Sequence, residues 1–322
     1  MIIDYKWDTY CRTFFLQKFF IFMIYLLSFY LTLESTHMNN EDGSRFKGRK
    51  FIVLKLTSAS VQIFFLGYEL IQFKKEGQEY LYDFWNIFEL LGIFFYFWGT
   101  AMDLANDYFS DLNKIVFTIT VLLSLVKLMY LLRVFRYLSF LVMMLIQVGN
   151  DVKMFMFIFL IFNLTFAECF HIVDVDVTSY GRMPELLSLT IAVLRAAMGD
   201  FSIIDPYVGF DPVDSYIDPE TGQEVETHRH SRMIVIFTFV IFMASSYLLF
   251  MIFVNFIIAL IAETYGKVSQ YYVAHDYHQR VILIYEREVL MQKETFENPI
   301  FFPNILIIRQ KKHIETQKNN WQ

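Results

Sequence analysis

Six runs of mostly apolar residues, at about 14–33, 51–73, 84–102, 115–135, 152–173 and 233–262, alternate with polar stretches along the chain. An α-helix needs about 20 apolar residues, rising ~1.5 Å each, to cross the hydrocarbon core of a bilayer. The pattern therefore predicts an all-α membrane protein with six spans. The last run is longer than one crossing needs and predicts a helix that continues into water. A further apolar stretch, 184–198 (PELLSLTIAVLRAAM), has 15 residues and opens on Pro184. Proline suits the first turn of a helix, and the stretch is too short to span, so a re-entrant helix is expected between the fifth and sixth spans.

Backbone that turns back at membrane depth needs protein or a water-filled cavity to receive its hydrogen bonds, and a pore made by four chains supplies one. Six spans with a short helix between the last two is the layout of tetrameric cation channels, the voltage-gated-like ion channel fold. The expected organisation is a four-helix sensor-like bundle over 1–135, a linker at 136–151 and a pore domain over 152–262. The pore domain holds the pore helix 184–198 and an acidic outer loop at 200–230, and a C-terminal helix and tail fill 263–322.

Composition strengthens the membrane reading: 56% of the 322 residues are apolar and 19% aromatic, above the roughly 45–50% apolar share of soluble domains. The net charge of −6 comes from acids crowded into loops, and no basic patch for nucleic acid is present. Lys and Arg favour the side that carries both termini, which places both termini in the cytosol or a matrix-like compartment. The segment 34–50, with Arg45, Lys47, Arg49 and Lys50, runs against that bias. Cys11 and Cys169 fall toward opposite membrane faces, which argues against a disulfide, and no Cys/His spacing suggests zinc. Asp4 and Asp8 among bulky aromatics match no cleavable leader.

The chemistry concentrates in LRAAMGDFSI, residues 194–203. Gly199 lets the backbone turn at the end of the short helix, and Asp200 offers one carboxylate per subunit, so Met198, Gly199 and Asp200 are the candidate selectivity filter. The plainer alternative is a glycine-terminated helix followed by an ordinary turn. Context favours the filter: Asp200, Asp205, Asp211, Asp214, Asp218, Glu220, Glu224 and Glu226 lie between Arg195 and Arg229 with no basic residue among them. Such an acidic mouth concentrates cations. Its Asp-Pro pairs make a stiff, turn-rich loop that matches no calcium-loop consensus.

Two polar pairs mark the second and third spans: Glu69 with Gln72 in GYELIQF, and Asn86 with Glu89 in FWNIFELLG. Each pair, three residues apart, shares a helix face, and the short connection brings the two faces to one membrane side. Four oxygen-bearing side chains suit Ca²⁺, which usually takes six or more ligands, so water or another group must complete the set. Alternatively, Glu69 snorkels near a helix end and Asn86 begins the third helix. The fourth span carries Lys127, Arg133 and Arg136 at irregular spacing and mostly at one end, unlike a steep voltage sensor. In the sixth span Asn255 is either helix-to-helix glue or a pore-lining amide, and Ile258 and Ile261 below it are candidates for a dewetting gate. Residues 263–296 fit either a docking helix or a solvated extension.

RAAMGDF resembles the pore of polycystin channels in the transient receptor potential superfamily, in which an Arg likewise sits four residues before the Gly of a Gly-Asp filter. The resemblance implies that Arg195 lies behind the filter, supporting the pore helix and paired with a carboxylate. FVNFIIALIAETYGKV resembles the family's sixth-helix end, with Asn255 where the pore lining rotates. The E-x-x-Q and N-x-x-D/E pairs resemble the calcium-regulatory site of ankyrin-type and melastatin channels. The departures are the expected lack of ankyrin repeats or another large domain before the first span, and a 34–50 loop too short for the polycystin extracellular domain.

These readings make the chain a cation channel subunit, non-selective or calcium-permeable, weakly voltage-dependent, with calcium as a regulator and no organic cofactor. Its partners would be three further subunits in a homo- or heterotetramer, membrane lipids and permeating cations, without nucleic acid. The competing reading is a non-conducting, channel-derived scaffold bound to other subunits of a membrane complex. With no nucleotide loop and no nucleophile–base pairing, an enzyme is not expected.

Overall fold

In the computed structural model, residues 2–41, 49–105, 111–177, 180–201, 211, 213–217, 224–299 and 301–303 are described. The remainder of the outer acidic loop, most of the 42–50 connection and the tail beyond 303 lie outside them. The helices are α1 (Ile2–Lys6), α2 (Arg12–Glu41), α3 (Arg49–Glu76), α4 (Phe84–Leu104), α5 (Asp111–Leu132), α6 (Arg136–Ile172), α7 (Glu185–Ala197), α8 (Arg232–Ser245), α9 (Asn255–Gln270), α10 (Tyr272–Leu290) and α11 (Lys293–Phe296). Wider, π-helical turns at Trp7–Cys11 join α1 to α2, and others at Ser246–Val254 join α8 to α9.

Among the described residues, five helical stretches are long and apolar enough to cross a membrane: Ile2–Glu34, Phe84–Leu104, Asp111–Leu132, Arg136–Ile172 and Arg232–Gln270. The 28-residue α3 has the length as well but is not among these five, and carries Lys50, Lys55, Glu69, Lys74 and Lys75. Two observations depart from the sequence expectation. Residues 136–151, expected as a linker, are the first part of one continuous 37-residue helix. A two-stranded antiparallel hairpin, β1 (Val213–Ile217) with β2 (Glu224–His228), pairs Val213 with His228 and Ile217 with Glu224, and adds strand to an expected all-α chain. Val213, Tyr216, Ile217, Val225 and Thr227 are strand-favouring types that the acidic count of this loop obscures.

The chain folds as two compact units, Met1–Met143 with Tyr272–Gln322, and Met144–Tyr271. The first is built on aromatic rings whose polar tips find partners. Tyr25 stacks on Phe29 with centroids 5.6 Å apart and meets Tyr96 edge-on at 5.6 Å. The Tyr25 and Ser124 hydroxyls lie 3.3 Å apart and those of Tyr96 and Ser58 2.8 Å, so these large rings are buried without leaving their hydroxyls unpaired. Gly99 lets α4 approach α5 closely, because a Cβ there would lie 2.8 Å from the Phe117 ring. The Asp83 carboxylate caps α4 by accepting from the Trp85 amide at 3.0 Å. Asp83→Ala is expected to cost about 1 kcal/mol, read as a lowered melting temperature in detergent.

Helix α10 docks on the start of the chain. Arg280 bonds Asp4 at 3.1 Å, Lys6 bonds Glu288 at 2.7 Å, and Tyr10 donates to the same Glu288. Deeper in, Lys18 bonds Glu286 at 3.1 Å, Tyr130 donates to Glu286, and Arg133 donates to Gln279. Lys75 satisfies the carbonyls of Val289 and Met291 near the end of α10, at 3.0 and 2.9 Å. Of the two readings of 263–296, this contact set is that of a docked helix.

The second unit packs Phe159, Phe170, Leu189, Val193, Phe242, Leu249 and Phe253 into one core. Phe155 stacks on Phe256 at 4.7 Å, and the Thr264 hydroxyl donates to Asp151 at 2.8 Å. These contacts fix α7 between α6 and the α8–α9 rod.

Candidate functional site

α7 begins after Pro184 and buries Ser188, Leu189, Ala192, Val193, Ala196 and Ala197 along one stripe. Its small residues allow close packing, and a buried amide adds specificity. Asn163 of α6, oriented to satisfy both ends, donates to the Thr190 carbonyl at 3.2 Å and accepts from the Leu194 amide at 3.1 Å. The helix ends through Gly199, whose φ of +93° lies in the left-handed region. The Asp200 amide then returns to the Arg195 carbonyl at 2.9 Å, the wrap that closes a glycine-terminated helix. Both sequence readings of Met198-Gly199-Asp200 share this backbone. A Cβ at Gly199 would lie 3.4 Å from Phe250 Cε2, and Phe201 packs edge-on against the same Phe250 ring at 5.6 Å.

The side chains beside the turn form a charged group. Arg195 holds Asp200 Oδ2 through Nε at 2.8 Å and Nη2 at 2.5 Å, while Nη1 donates to the Tyr180 hydroxyl at 3.0 Å. Hydrogen bonds to Asp200 and Tyr180 raise the guanidinium's proton affinity further, so it is charged at every accessible pH. Met198 is exposed in the single subunit, as are Asn255, Ile258 and Ile261. Asn255 Nδ2 bonds back to the Met251 carbonyl at 2.5 Å, the first residue after the π-helical turns. Of the acidic mouth, Asp211 faces His228 at 3.3 Å, and Glu226 is exposed on β2. Asp205, Asp218 and Glu220 lie outside the described residues, and of Asp214 and Glu224 only the backbone is described.

In the first unit one member of each pair, Glu69 of α3 and Asn86 of α4, bonds Tyr80, which lies in the 3₁₀ turn Gly77–Tyr82. Its hydroxyl donates to Glu69 Oε2 at 2.7 Å, and its carbonyl accepts from Asn86 at 3.2 Å. Burial and the Glu69 carboxylate push the Tyr80 phenol well above its ordinary range, so it remains a donor. Glu89 pairs with Lys127 of α5 at 3.3 Å, and Gln72 donates to Glu76 at 3.2 Å. Lys127 also lies over the Phe65 ring at 3.9 Å, and Lys18 over Tyr68 at 3.5 Å. The oxygens are the type Ca²⁺ takes. As arranged, however, Tyr80 and Lys127 engage the two carboxylates, and no group of three or more Asp, Glu, His or Cys among the described residues is placed to hold a metal. An ion here would have to take the place of the Lys127 ammonium.

The fourth-span charges are tied down as well. Lys127 is on Glu89, Arg133 sits between Trp85 and Tyr130 at 5.4 and 5.0 Å, and Arg136 bonds the Tyr272 hydroxyl at 3.1 Å. Sequence reasoning missed Asn163, Tyr180 and Tyr80. Asn163 had a legible signal, an amide in the middle of an apolar run; the two tyrosines stand among 20 in the chain, and nothing singles them out.

No protein-family model matches the chain, and no curated protein matches it. Among solved structures, full-length TRPY1, a yeast channel of the transient receptor potential family determined in detergent with PI3P and calcium bound, aligns with TM-score 0.54 at 15% identity. The match covers 89% of this chain and 49% of the TRPY1 chain, so the chain spans about half the length of that protein. At this identity the likeness is one of fold: the chain shares the fold of the matched part of TRPY1 and, with its apolar helices, is an integral, multi-pass membrane protein.

Proposed function

We propose that the chain is one subunit of a tetrameric cation channel, with six spans counting α3, a pore helix at α7 and a filter at Met198-Gly199-Asp200. The observation that carries the reading is α7 itself: a 13-residue helix between two long apolar helices, ended by a left-handed glycine and followed at once by a carboxylate. A TRP-like fold gives that geometry its context. In a four-fold assembly the Gly199 turn would aim carbonyls and Asp200 toward the axis. Asn255, Ile258 and Ile261, exposed on one subunit, would line the inner pore below the π-helical turns. Such turns recur at functional sites because they let the following helix change its rotational phase. The tethered, unevenly spaced charges Lys127, Arg133 and Arg136 favour weak voltage dependence. Calcium, bound in the TRPY1 structure, would act on this chain at Glu69, Gln72, Asn86 and Glu89 by replacing Lys127.

The test is cryo-electron microscopy of the nanodisc-embedded protein together with cation currents after reconstitution into planar bilayers. Four copies around an axis with Asp200 facing it, and a cation current, are expected. A single copy among unrelated subunits, with no current, would make the chain a scaffold.

A further inference from the structure

Asp200 is not a bare carboxylate within its own subunit. The Arg195 guanidinium, five residues earlier, binds one of its oxygens through two nitrogens at 2.5 and 2.8 Å. The third nitrogen is held by Tyr180 at 3.0 Å, whose ring lies 6.0 Å from the guanidinium carbon. The contact is built into the backbone: the wrap from the Asp200 amide to the Arg195 carbonyl, closed through Gly199, sets the two side chains on the same side of the turn. A ring of four carboxylates and a ring of four neutralised pairs are different filters. Divalent cations shed water only for a strong concentration of negative charge, whereas a ring of carbonyls and neutral pairs offers a weak field that suits monovalent cations.

We infer that Arg195 is the specificity-determining residue of the filter, cancelling the Asp200 charge so that the pore favours monovalent over divalent cations, and that Tyr180 positions it. This rests on the proposed filter. The pair is partly exposed, with side-chain exposures of 42% and 44%, and an exposed pair is held weakly. The arrangement therefore makes divalent permeability sensitive to single substitutions around it.

The experiment is the bi-ionic Ca²⁺/Na⁺ reversal potential of the reconstituted full chain, measured for wild type, Arg195→Gln, Asp200→Asn, the double variant and Tyr180→Phe. Size-exclusion profiles and melting temperatures check assembly. Arg195→Gln, which removes the guanidinium from Asp200, is expected to shift the reversal potential toward higher Ca²⁺ permeability. Asp200→Asn, which leaves four guanidinium groups without that counter-charge, is expected to lose most of the current. The double variant should return to the wild-type permeability ratio, and Tyr180→Phe should move it in the direction of Arg195→Gln by less. A conducting wild type whose reversal potential is unmoved by Arg195→Gln overturns the inference and leaves the channel reading standing. An assembled wild type that passes no current overturns both. If Arg195→Gln fails to assemble, Tyr180→Phe decides: an unchanged ratio counts against the role given to Arg195.

Discussion

Lys127→Ala is expected to lose about 3–5 kcal/mol of unfolding free energy, the usual consequence of deleting one member of a buried ion pair. The ammonium and the Glu89 carboxylate are each about one-tenth exposed, 3.3 Å apart, with Phe65 and Phe22 rings around the lysine. Removing the cation strands Glu89 against Glu69, whose carboxyl adjoins it. Thermal unfolding in detergent, followed by tryptophan fluorescence, measures the loss. Lys127→Met combined with Glu89→Gln should recover much of it, because both members of the pair are then removed together. The same series tests the calcium reading. An ion that replaces the ammonium raises the melting temperature of Lys127→Ala more than that of wild type, as binding to the folded state alone requires. Equal responses in the two proteins would remove calcium from this site.

Gly199→Val is expected to abolish the proposed cation current while leaving the first unit folded. At φ +93° a β-branched residue is strained by about 1–2 kcal/mol or more. Its Cβ alone meets Phe250 at 3.4 Å, so the two added methyls push either the ring or the turn aside. In the proposed tetramer the displacement would occur four times, once per copy of the turn. Single-channel recording of the reconstituted variant, with assembly confirmed by size exclusion, checks it. A valine variant that conducts normally would place the permeation path elsewhere.

Local pattern was enough to find the elements and insufficient to find their partners. Apolar runs placed the long helices because burial in lipid acts on composition. The apolar run 51–73 placed α3 as well, although Lys55 and Glu69 interrupt it. The continuity of 136–151 with the rest of α6 was not legible: the apolar run was taken to begin at 152, and a helix can run past its apolar part. At the candidate filter, the sequence singled out Gly199, Asp200 and Arg195, and the resemblance implied a carboxylate beside the arginine. That the carboxylate is Asp200 itself depends on the left-handed turn, a backbone property no spacing rule contains. At the α3–α4 cluster the oxygens were visible in the motif, but Lys127 was weighed only against a voltage sensor, whose spacing it does not fit, and not as their counter-ion. Its pairing crosses 38 positions, beyond any local pattern.

The docking of α10 on the first helices also fixes an order of synthesis. Lys18 is 4% exposed, and its carboxylate partner, Glu286, arrives 268 residues later. At about 5–20 residues per second, that interval is about 13–54 s. Asp4 waits for Arg280 and Lys6 for Glu288 across similar distances, 276 and 282 positions. The helices made first are therefore the last to be completed. Until the ribosome has passed α10, the nascent bundle holds a lysine whose carboxylate does not yet exist, and a chain released before residue 286 never acquires it.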